Sequence, residues 1–92
     1  MEKPSQVIRD VGRKIREFRM RRGWTQEQAA EKLGIALRNF QAMERGKQNL
    51  TLKTMVRLAR LLGVLTRDLL DDPVSRAVPR GRPPARGSSR RR

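Results

Sequence analysis

The chain contains no cysteine and no histidine, and both absences narrow the chemistry it can perform. Without cysteine, disulfides, thiolate metal sites and cysteine nucleophiles are excluded. Without histidine, the commonest general base and the commonest metal ligand are missing as well. We therefore expect a protein that is not an enzyme, with no catalytic residue, no metal site and no cofactor.

Aromatic residues and long apolar runs are also scarce. The chain has one Trp, two Phe and no Tyr among its 92 residues, which disfavours a platform that stacks RNA bases. No apolar run approaches the roughly 20 residues of a membrane span, and the first residues do not resemble a signal peptide. We expect an intracellular protein, cytoplasmic and nucleoid-associated, with no membrane partner.

Acidic residues are absent from the last twenty positions. Residues 1–72 carry sixteen Lys and Arg against nine acids, whereas residues 73–92 carry seven Arg and no acid, so each part contributes +7 to the net charge of +14. A basic domain with a shorter, equally charged tail is typical of proteins that bind polyanions. Solubility, or a general arginine bias, is the alternative explanation.

The last twenty residues differ from the rest in composition. They hold four of the five prolines and few apolar residues, so they cannot bury enough surface to offset the entropy of ordering. We predict one domain over residues 1–72 and a disordered Arg/Pro/Gly-rich tail over 73–92. The tail sequence PRGRP resembles the core of an AT-hook, in which Arg80 and Arg82 follow an A·T minor groove. A tail that binds phosphates without specificity is the alternative.

The spacing of apolar residues predicts an all-α bundle of five short helices without a sheet. The first helix covers residues 6–22, with Ser5 as its N-cap and its basic side chains, Lys14 among them, on the outer surface. Trp24 is expected at the junction of the first two helices. Thr51 caps a fourth helix that ends at Gly63, and Thr66 caps a last short turn. The inner stripes are Val11, Ile15 and Phe18 in the first helix and Leu52, Met55, Leu58, Ala59 and Leu62 in the fourth.

The middle of the chain has the most specific pattern. Thr25 and Gln28 form a capping box at the start of a second helix. Gly34 ends that helix, because glycine adopts the left-handed conformation without steric cost. A third helix follows over residues 37–44, with Phe40 and Met43 facing inwards. A helix, a glycine turn and a polar-edged helix make the helix-turn-helix pattern, whose second helix lies in a DNA major groove.

Residues from about Val11 to Leu70 resemble the phage repressor and Cro-like (XRE-type) helix-turn-helix family. The resemblance rests on IREFRMRRGWTQEQAAEKLGI, then MERGKQNLTLKTMVRLARLLGV, then a short DLL, in the family's order. It implies a five-helix lambda-repressor-like bundle that binds double-stranded DNA. The chain departs from the family at Ala36, where a Ser or Thr cap is usual, at Leu50, where Pro is usual, and at Ala29, where a larger aliphatic residue is usual.

The resemblance implies a phosphate contact at Gln26, where the free N–H groups and the dipole of a helix start favour an anion. In the third helix, Arg38 can pair with guanine, Gln41 can read adenine, and Leu37 or Ala42 can contact a thymine methyl. A solvated or phosphate-paired side chain is the alternative for Arg38 and Gln41. The predicted DNA-binding residues are Gln26, Leu37, Arg38, Asn39, Gln41, Ala42, Arg45, Lys47, Arg80 and Arg82.

A separate prediction concerns Arg19 and Glu44. The resemblance places an Arg near the end of the first helix against a Glu at the end of the third. An unpaired Glu44 next to DNA phosphates would repel them, and an ion pair with Arg19 neutralises it. Two unpaired surface charges are the alternative.

The expected function is a sequence-specific transcriptional regulator that binds double-stranded DNA, with the third helix, over residues 37–44, as its recognition helix. We expect a homodimer, because one recognition helix reads only a few base pairs. Leu65, Leu69 and Leu70 are the candidate dimer surface, with capping of the monomer core as the alternative. An antitoxin whose main partner is a toxin, and a controller protein of a restriction–modification system, remain open, as does RNA polymerase as a protein partner. A non-specific nucleoid or RNA-binding protein is a third possible function.

Overall fold

A computed structural model describes residues 2–76, which form four α-helices and one 3₁₀ helix, with no strand in that range. The helices are α1 (Pro4–Arg21), α2 (Gln26–Leu33), α3 (Leu37–Glu44) and α4 (Leu52–Leu62), followed by the 3₁₀ helix (Thr66–Leu70). The all-α prediction is confirmed, but the fifth element is a 3₁₀ helix instead of an α-helix. Within residues 2–76, no helix is long and apolar enough to cross a bilayer.

The starts of α1 and of the 3₁₀ helix differ from the prediction. α1 begins at Pro4, because proline has a helical φ and lacks the N–H that would be unpaired at a first position. Ser5 therefore lies inside α1 and does not cap it. The 3₁₀ helix is capped by Asp68, whose Oδ2 accepts a hydrogen bond from the Leu65 N–H at 2.9 Å, and not by Thr66.

The caps of the central helices agree with the prediction. The Thr25 hydroxyl accepts from the Gln28 N–H at 3.0 Å, and the Gln28 side-chain oxygen accepts from the Thr25 N–H at 2.8 Å, which completes the capping box. Gly34 ends α2 with a φ of 74°. Thr51 caps α4 through its hydroxyl. The start of α3 has no side-chain cap, because Ala36 has no acceptor to offer.

Apolar side chains from all five elements meet in one core. Ile15, Leu58 and Leu69 are fully buried, and Phe40 is 1% exposed. Trp24 packs against this core but is only partly buried. The buried apolar residues are Val11, Ile15, Phe18, Ala29, Ala30, Leu33, Phe40, Met43, Met55, Leu58, Ala59, Leu62 and Leu69.

Three side chains differ in exposure from the sequence prediction. Leu69 belongs to the monomer core and is unavailable to a dimer partner. Leu52 is 72% exposed, because it is the first residue of α4 and its side chain points back beyond the end of the helix. Lys14 is buried instead of outward-facing, with Nζ 3.1 Å from Glu17 Oε1 and 4.6 Å from the centre of the Phe18 ring.

α1 crosses the end of α3 at Gly12, and this close approach requires glycine. A Cβ at this position would lie 2.6 Å from the carbonyl oxygens of Met43 and Glu44. Any larger residue would therefore force the two helices apart. Since Arg19 lies about two turns further along α1, the spacing set at Gly12 also determines whether Arg19 reaches Glu44.

Two arginines bind the carbonyl ends of neighbouring helices. Arg57 donates from Nη2 to the Leu33 carbonyl oxygen at the end of α2, at 2.7 Å. Arg22 donates from Nε to the Leu62 carbonyl oxygen at the end of α4, at 3.1 Å. A cation at the negative end of a helix dipole is stabilising, so these contacts fix α2 and α4 in the bundle.

Residues 73–76, which we call the C-terminal strap, lie along α1. Pro73 is buried, and the Val74 N–H donates to Glu17 Oε2 at 2.6 Å. Since Glu17 Oε1 contacts Lys14, one carboxylate of α1 joins the strap to a buried lysine.

Arg76 completes the strap. Its Nε and Nη2 donate to the two carboxylate oxygens of Asp10 at 2.8 and 2.9 Å, and its carbonyl oxygen accepts from Arg13 at 3.0 Å. These contacts continue four residues past Asp72, the predicted end of the domain. Residues 77–92 lie outside the described residues, so the boundary between domain and tail stays a prediction that truncation can test.

Two truncations separate the strap from the tail. Ending the chain after Arg76 should leave the melting temperature unchanged, whereas ending it after Asp72 should lower it by a few degrees. The shorter chain loses the burial of Pro73 and the hydrogen bond from Val74 to Glu17. Thermal unfolding followed by circular dichroism measures the melting temperatures of both truncated chains. Equal values would show that the strap does not stabilise the domain.

The strap should also respond to acid. The hydrogen bond from Arg76 lowers the pKa of Asp10, against the opposing effect of desolvation. A carboxylate with a lowered folded-state pKa stabilises the fold above its ordinary pKa of about 3.9, and this stabilisation is lost as the pH falls through the folded value. The difference in melting temperature between the two truncated chains should therefore shrink below about pH 4.

Candidate nucleic-acid interface

The start of α2 and the outer side of α3 form the candidate interface. Arg38 and Asn39 are exposed in the first turn of α3, while Leu37, Gln41 and Ala42 are partly buried. At the start of α2, the N–H groups of the first two residues have no acceptor within the helix and can bind an anion.

Arg19 and Glu44, the predicted ion pair, lie next to each other behind this surface. Arg19 Nε is 2.6 Å from Glu44 Oε2 and Nη2 is 3.3 Å from Oε1, a two-point contact between side chains that are 9% and 3% exposed. Arg19 Nη1 also donates to the Trp24 carbonyl oxygen at 2.7 Å. The pair therefore joins the end of α1, the loop before α2 and the end of α3.

Two glutamines extend this pair towards the surface. Gln26 donates from Nε2 to Glu44 Oε1 at 2.9 Å, and Gln41 donates from Nε2 to Gln26 Oε1 at 3.3 Å. The Gln26 side chain is thus bound to α3, which leaves the backbone N–H groups at the start of α2 as the natural phosphate donors in this region. Sequence reasoning missed these contacts, although the spacing of Gln41 and Glu44 by three residues places both on one side of α3.

Arg45 and Lys47 are exposed in the loop that follows α3. Gly46, between them, has a φ of 73°, and a Cβ there would lie 2.7 Å from the Cα of Arg9. Only glycine fits this position, both for its left-handed backbone and for its contact with α1. The close contact at Gly46 therefore fixes where the backbone of Arg45 and Lys47 lies beside the end of α3.

Arg80 and Arg82 lie outside the described residues. Across residues 2–76, no group of Asp and Glu side chains is arranged to hold a metal ion. The exposed polar side chains of the site, Arg38, Asn39, Arg45 and Lys47, are hydrogen-bond donors or cations, which suits the recognition of phosphates and base edges.

Comparisons with known proteins agree with this architecture. A family model described as a helix-turn-helix domain matches residues 10–72. An uncharacterized HTH-type transcriptional regulator of Archaeoglobus fulgidus is 38% identical over 56 residues, which are 61% of this chain and 80% of that protein. The cryptic phage CTXphi transcriptional repressor RstR of Vibrio cholerae is 36% identical over 59 residues, or 64% of this chain and 53% of RstR.

A solved structure is also similar to this chain. The restriction–modification controller protein C.AhdI of Aeromonas hydrophila superposes with a TM-score of 0.63 at 31% identity, over 67% of this chain and 94% of C.AhdI. The chain spans 53–58% of the length of several curated relatives, RstR among them.

The family match extends from the first half of α1 past the 3₁₀ helix, so it includes the capping box, the glycine turn and the whole of α3. The family resemblance inferred from the sequence is therefore confirmed. The chain belongs to the XRE-type helix-turn-helix family, which includes phage repressors.

Proposed function

We propose that this chain is a transcriptional regulator that binds double-stranded DNA sequence-specifically, with α3 in the major groove. The observation that carries the proposal is the anchoring of α3. Its last residue, Glu44, is tied to α1 through a buried hydrogen bond and to α2 through a partly buried one, while Arg38 and Asn39 at its other end are exposed. A rigid helix with exposed donors at its N-terminal end is what base reading by a helix-turn-helix requires. This function is binding and not catalysis.

Arg38 is the main candidate for reading a base. It is exposed, and its guanidinium can donate two hydrogen bonds to the O6 and N7 of guanine. Asn39, Gln41, Leu37 and Ala42 complete the surface of α3 that faces the groove. Arg45, Lys47 and the start of α2 at Gln26 would hold phosphates on either side and set the register of the helix.

Useful specificity calls for two copies on half-sites about one helical turn apart. Leu65 and Leu70, each 55% exposed, remain as the candidate homodimer surface after Leu69 is assigned to the core. Leu70 also borders a cleft lined by Val7, Ile8 and Leu50, which gives a second subunit an apolar surface to bury.

The basic tail adds binding energy in this proposal. Arg80 and Arg82, with Gly81 between them, suit a narrow A·T minor groove next to the site read by α3. Phosphate contacts by the tail arginines are the alternative, and both would act on DNA in the cytoplasm, at the nucleoid.

A controller protein of a restriction–modification system is the second candidate function. The similarity to C.AhdI over 94% of that protein favours it, because the two chains share almost the whole controller fold. An antitoxin that binds a toxin, or a regulator that contacts RNA polymerase, would use the same DNA-binding surface together with a protein partner.

The first test is Arg38→Ala. On the preferred duplex, found by selection from random sequences, affinity should fall by about 1–3 kcal/mol and preference at one base pair should relax. Quantitative gel-shift or fluorescence titration measures both effects. An equal loss on the preferred and on random duplexes would make Arg38 a phosphate contact.

Two exposed cations serve as controls for Arg38. Lys47→Ala should weaken binding to all sequences alike and reduce the slope of log K against log salt by about 1. Arg67→Ala, on the 3₁₀ helix, removes the same charge as Arg38→Ala but should leave sequence preference unchanged.

Removing residues 77–92 tests the tail while keeping the strap. Affinity should fall, and the salt slope should flatten by about 0.9 for each phosphate that the tail no longer neutralises. If Arg80 and Arg82 form a minor-groove hook, the loss of affinity will be larger for sites flanked by A·T tracts than for sites flanked by G·C. An unchanged salt slope would instead show that the tail does not touch DNA.

The dimer is tested by sedimentation. The wild-type chain should sediment as a dimer on its site, with two protomers per duplex, and the double variant Leu65→Ser, Leu70→Ser should shift to a monomer. Met20→Ser removes a side chain of similar exposure on α1 and should leave the dimer intact. A monomeric wild-type protein with one copy per site would contradict the proposal.

A further inference from the structure

The hydrogen bonds that run from Glu44 to Gln41 allow each amide only one orientation. Glu44 is a buried carboxylate paired with Arg19, so it can only accept hydrogen bonds. The group of Gln26 that faces it at 2.9 Å must therefore be the NH₂. The Gln26 oxygen then faces Gln41, and Gln41 must present its own NH₂, at 3.3 Å.

This order determines which atoms Gln41 exposes. One of its N–H groups is used by Gln26, so its side-chain oxygen and a second N–H remain. Gln41 is partly exposed and lies three residues after Arg38, so the two side chains share one side of α3. The free oxygen of Gln41 is thus an acceptor beside the base-reading position of Arg38.

We propose that Glu44 is a positioning residue that sets base preference. Acting through Gln26, Glu44 orients the Gln41 amide so that the chain prefers adenine or cytosine at the base that Gln41 faces. The inference rests on the proposed function, the reading of DNA by α3. In the major groove, adenine N6 and cytosine N4 are donors, whereas guanine and thymine present acceptor oxygens. Because the second N–H of Gln41 can reach adenine N7, adenine should be the best base.

The variant Glu44→Gln should invert this preference. Its amide oxygen would keep the shorter hydrogen bond, from Arg19 Nε, and its NH₂ would take the place of Oε1, which faces Gln26 and the more distant Arg19 Nη2. Gln26 would then turn its NH₂ towards Gln41, and Gln41 would expose its own NH₂ to the groove. The preferred bases should change from adenine and cytosine to guanine and thymine at that position alone, by about tenfold.

The measurement is competition binding with four duplexes that differ at one base pair. Gln41→Ala identifies that base pair, because this variant should lose discrimination there and nowhere else. Adding Glu44→Gln to Gln41→Ala should change no base preference further. Arg38→Ala is the matched control within α3, since it should relax a different base pair and leave the one read by Gln41 intact.

Gln26→Met tests the same chain of hydrogen bonds while keeping both contacts between Arg19 and Glu44, since it removes only the two hydrogen bonds that the Gln26 side chain makes. It removes the link between Glu44 and Gln41, so Gln41 can turn either way and the four bases should bind within about twofold of one another. This variant keeps the inference testable if Glu44→Gln fails to fold, which circular dichroism reports directly.

The outcomes separate the inference from the proposed function. If Glu44→Gln or Gln26→Met weakens binding equally for all four bases, the role of Glu44 is purely structural and the inference is wrong, while reading by α3 stands. If the wild-type chain binds no duplex better than random DNA and Arg38→Ala has no effect, both the proposed function and the inference are wrong.

Discussion

The buried pair of Arg19 and Glu44 is the interaction on which the arrangement of the helices depends. Taking two charges out of water is costly, and only good geometry with further hydrogen bonds offsets the cost. Here the guanidinium contacts both carboxylate oxygens and the Trp24 carbonyl, and Gln26 supplies another donor to the carboxylate. Removing one partner from such a pair costs about 3–5 kcal/mol, a large part of the stability of a small domain. The pair therefore specifies where α3 ends relative to α1 and α2.

That pair depends in turn on backbone contacts made by two glycines. Gly12 lets α1 lie against the last carbonyl groups of α3, and Gly46 lets the following loop lie against Arg9. A Cβ at either place would collide with backbone or with the base of a side chain, so neither contact can relax by a rotamer change. The two glycine contacts thus set the spacing of the helices, and this spacing allows the ion pair to form. The ion pair in turn holds the amides that reach the surface of α3.

Features set by neighbouring residues were predictable from the sequence, and features set by distant ones were not. The capping box of Thr25 and the end of α2 at Gly34 follow from local hydrogen bonds and backbone freedom, and both were predicted correctly. The strap was not predictable, because Asp10 and Arg76 are far apart in the chain and no local pattern links them. The full burial of Leu69 likewise depends on packing, since a short apolar turn can face either the core or a partner. The pair of Arg19 and Glu44 was accessible only through the family resemblance.

The strap also constrains how the basic tail can reach DNA. It ties Arg76 to Asp10, and Asp10 lies about 13 Å along α1 from Arg19, the residue behind the candidate nucleic-acid interface. An extended chain spans at most about 3.3–3.6 Å per residue, so Arg80 lies within about 14 Å of the strap and Arg92 within about 58 Å. The strap therefore limits the first tail arginines to the neighbourhood of α1, whereas the covalent chain gives the last three a longer reach. Under the proposed function, a minor-groove contact by Arg80 and Arg82 is therefore limited to DNA within about 22 Å of Arg76, because six residues at up to 3.6 Å each separate Arg82 from the strap.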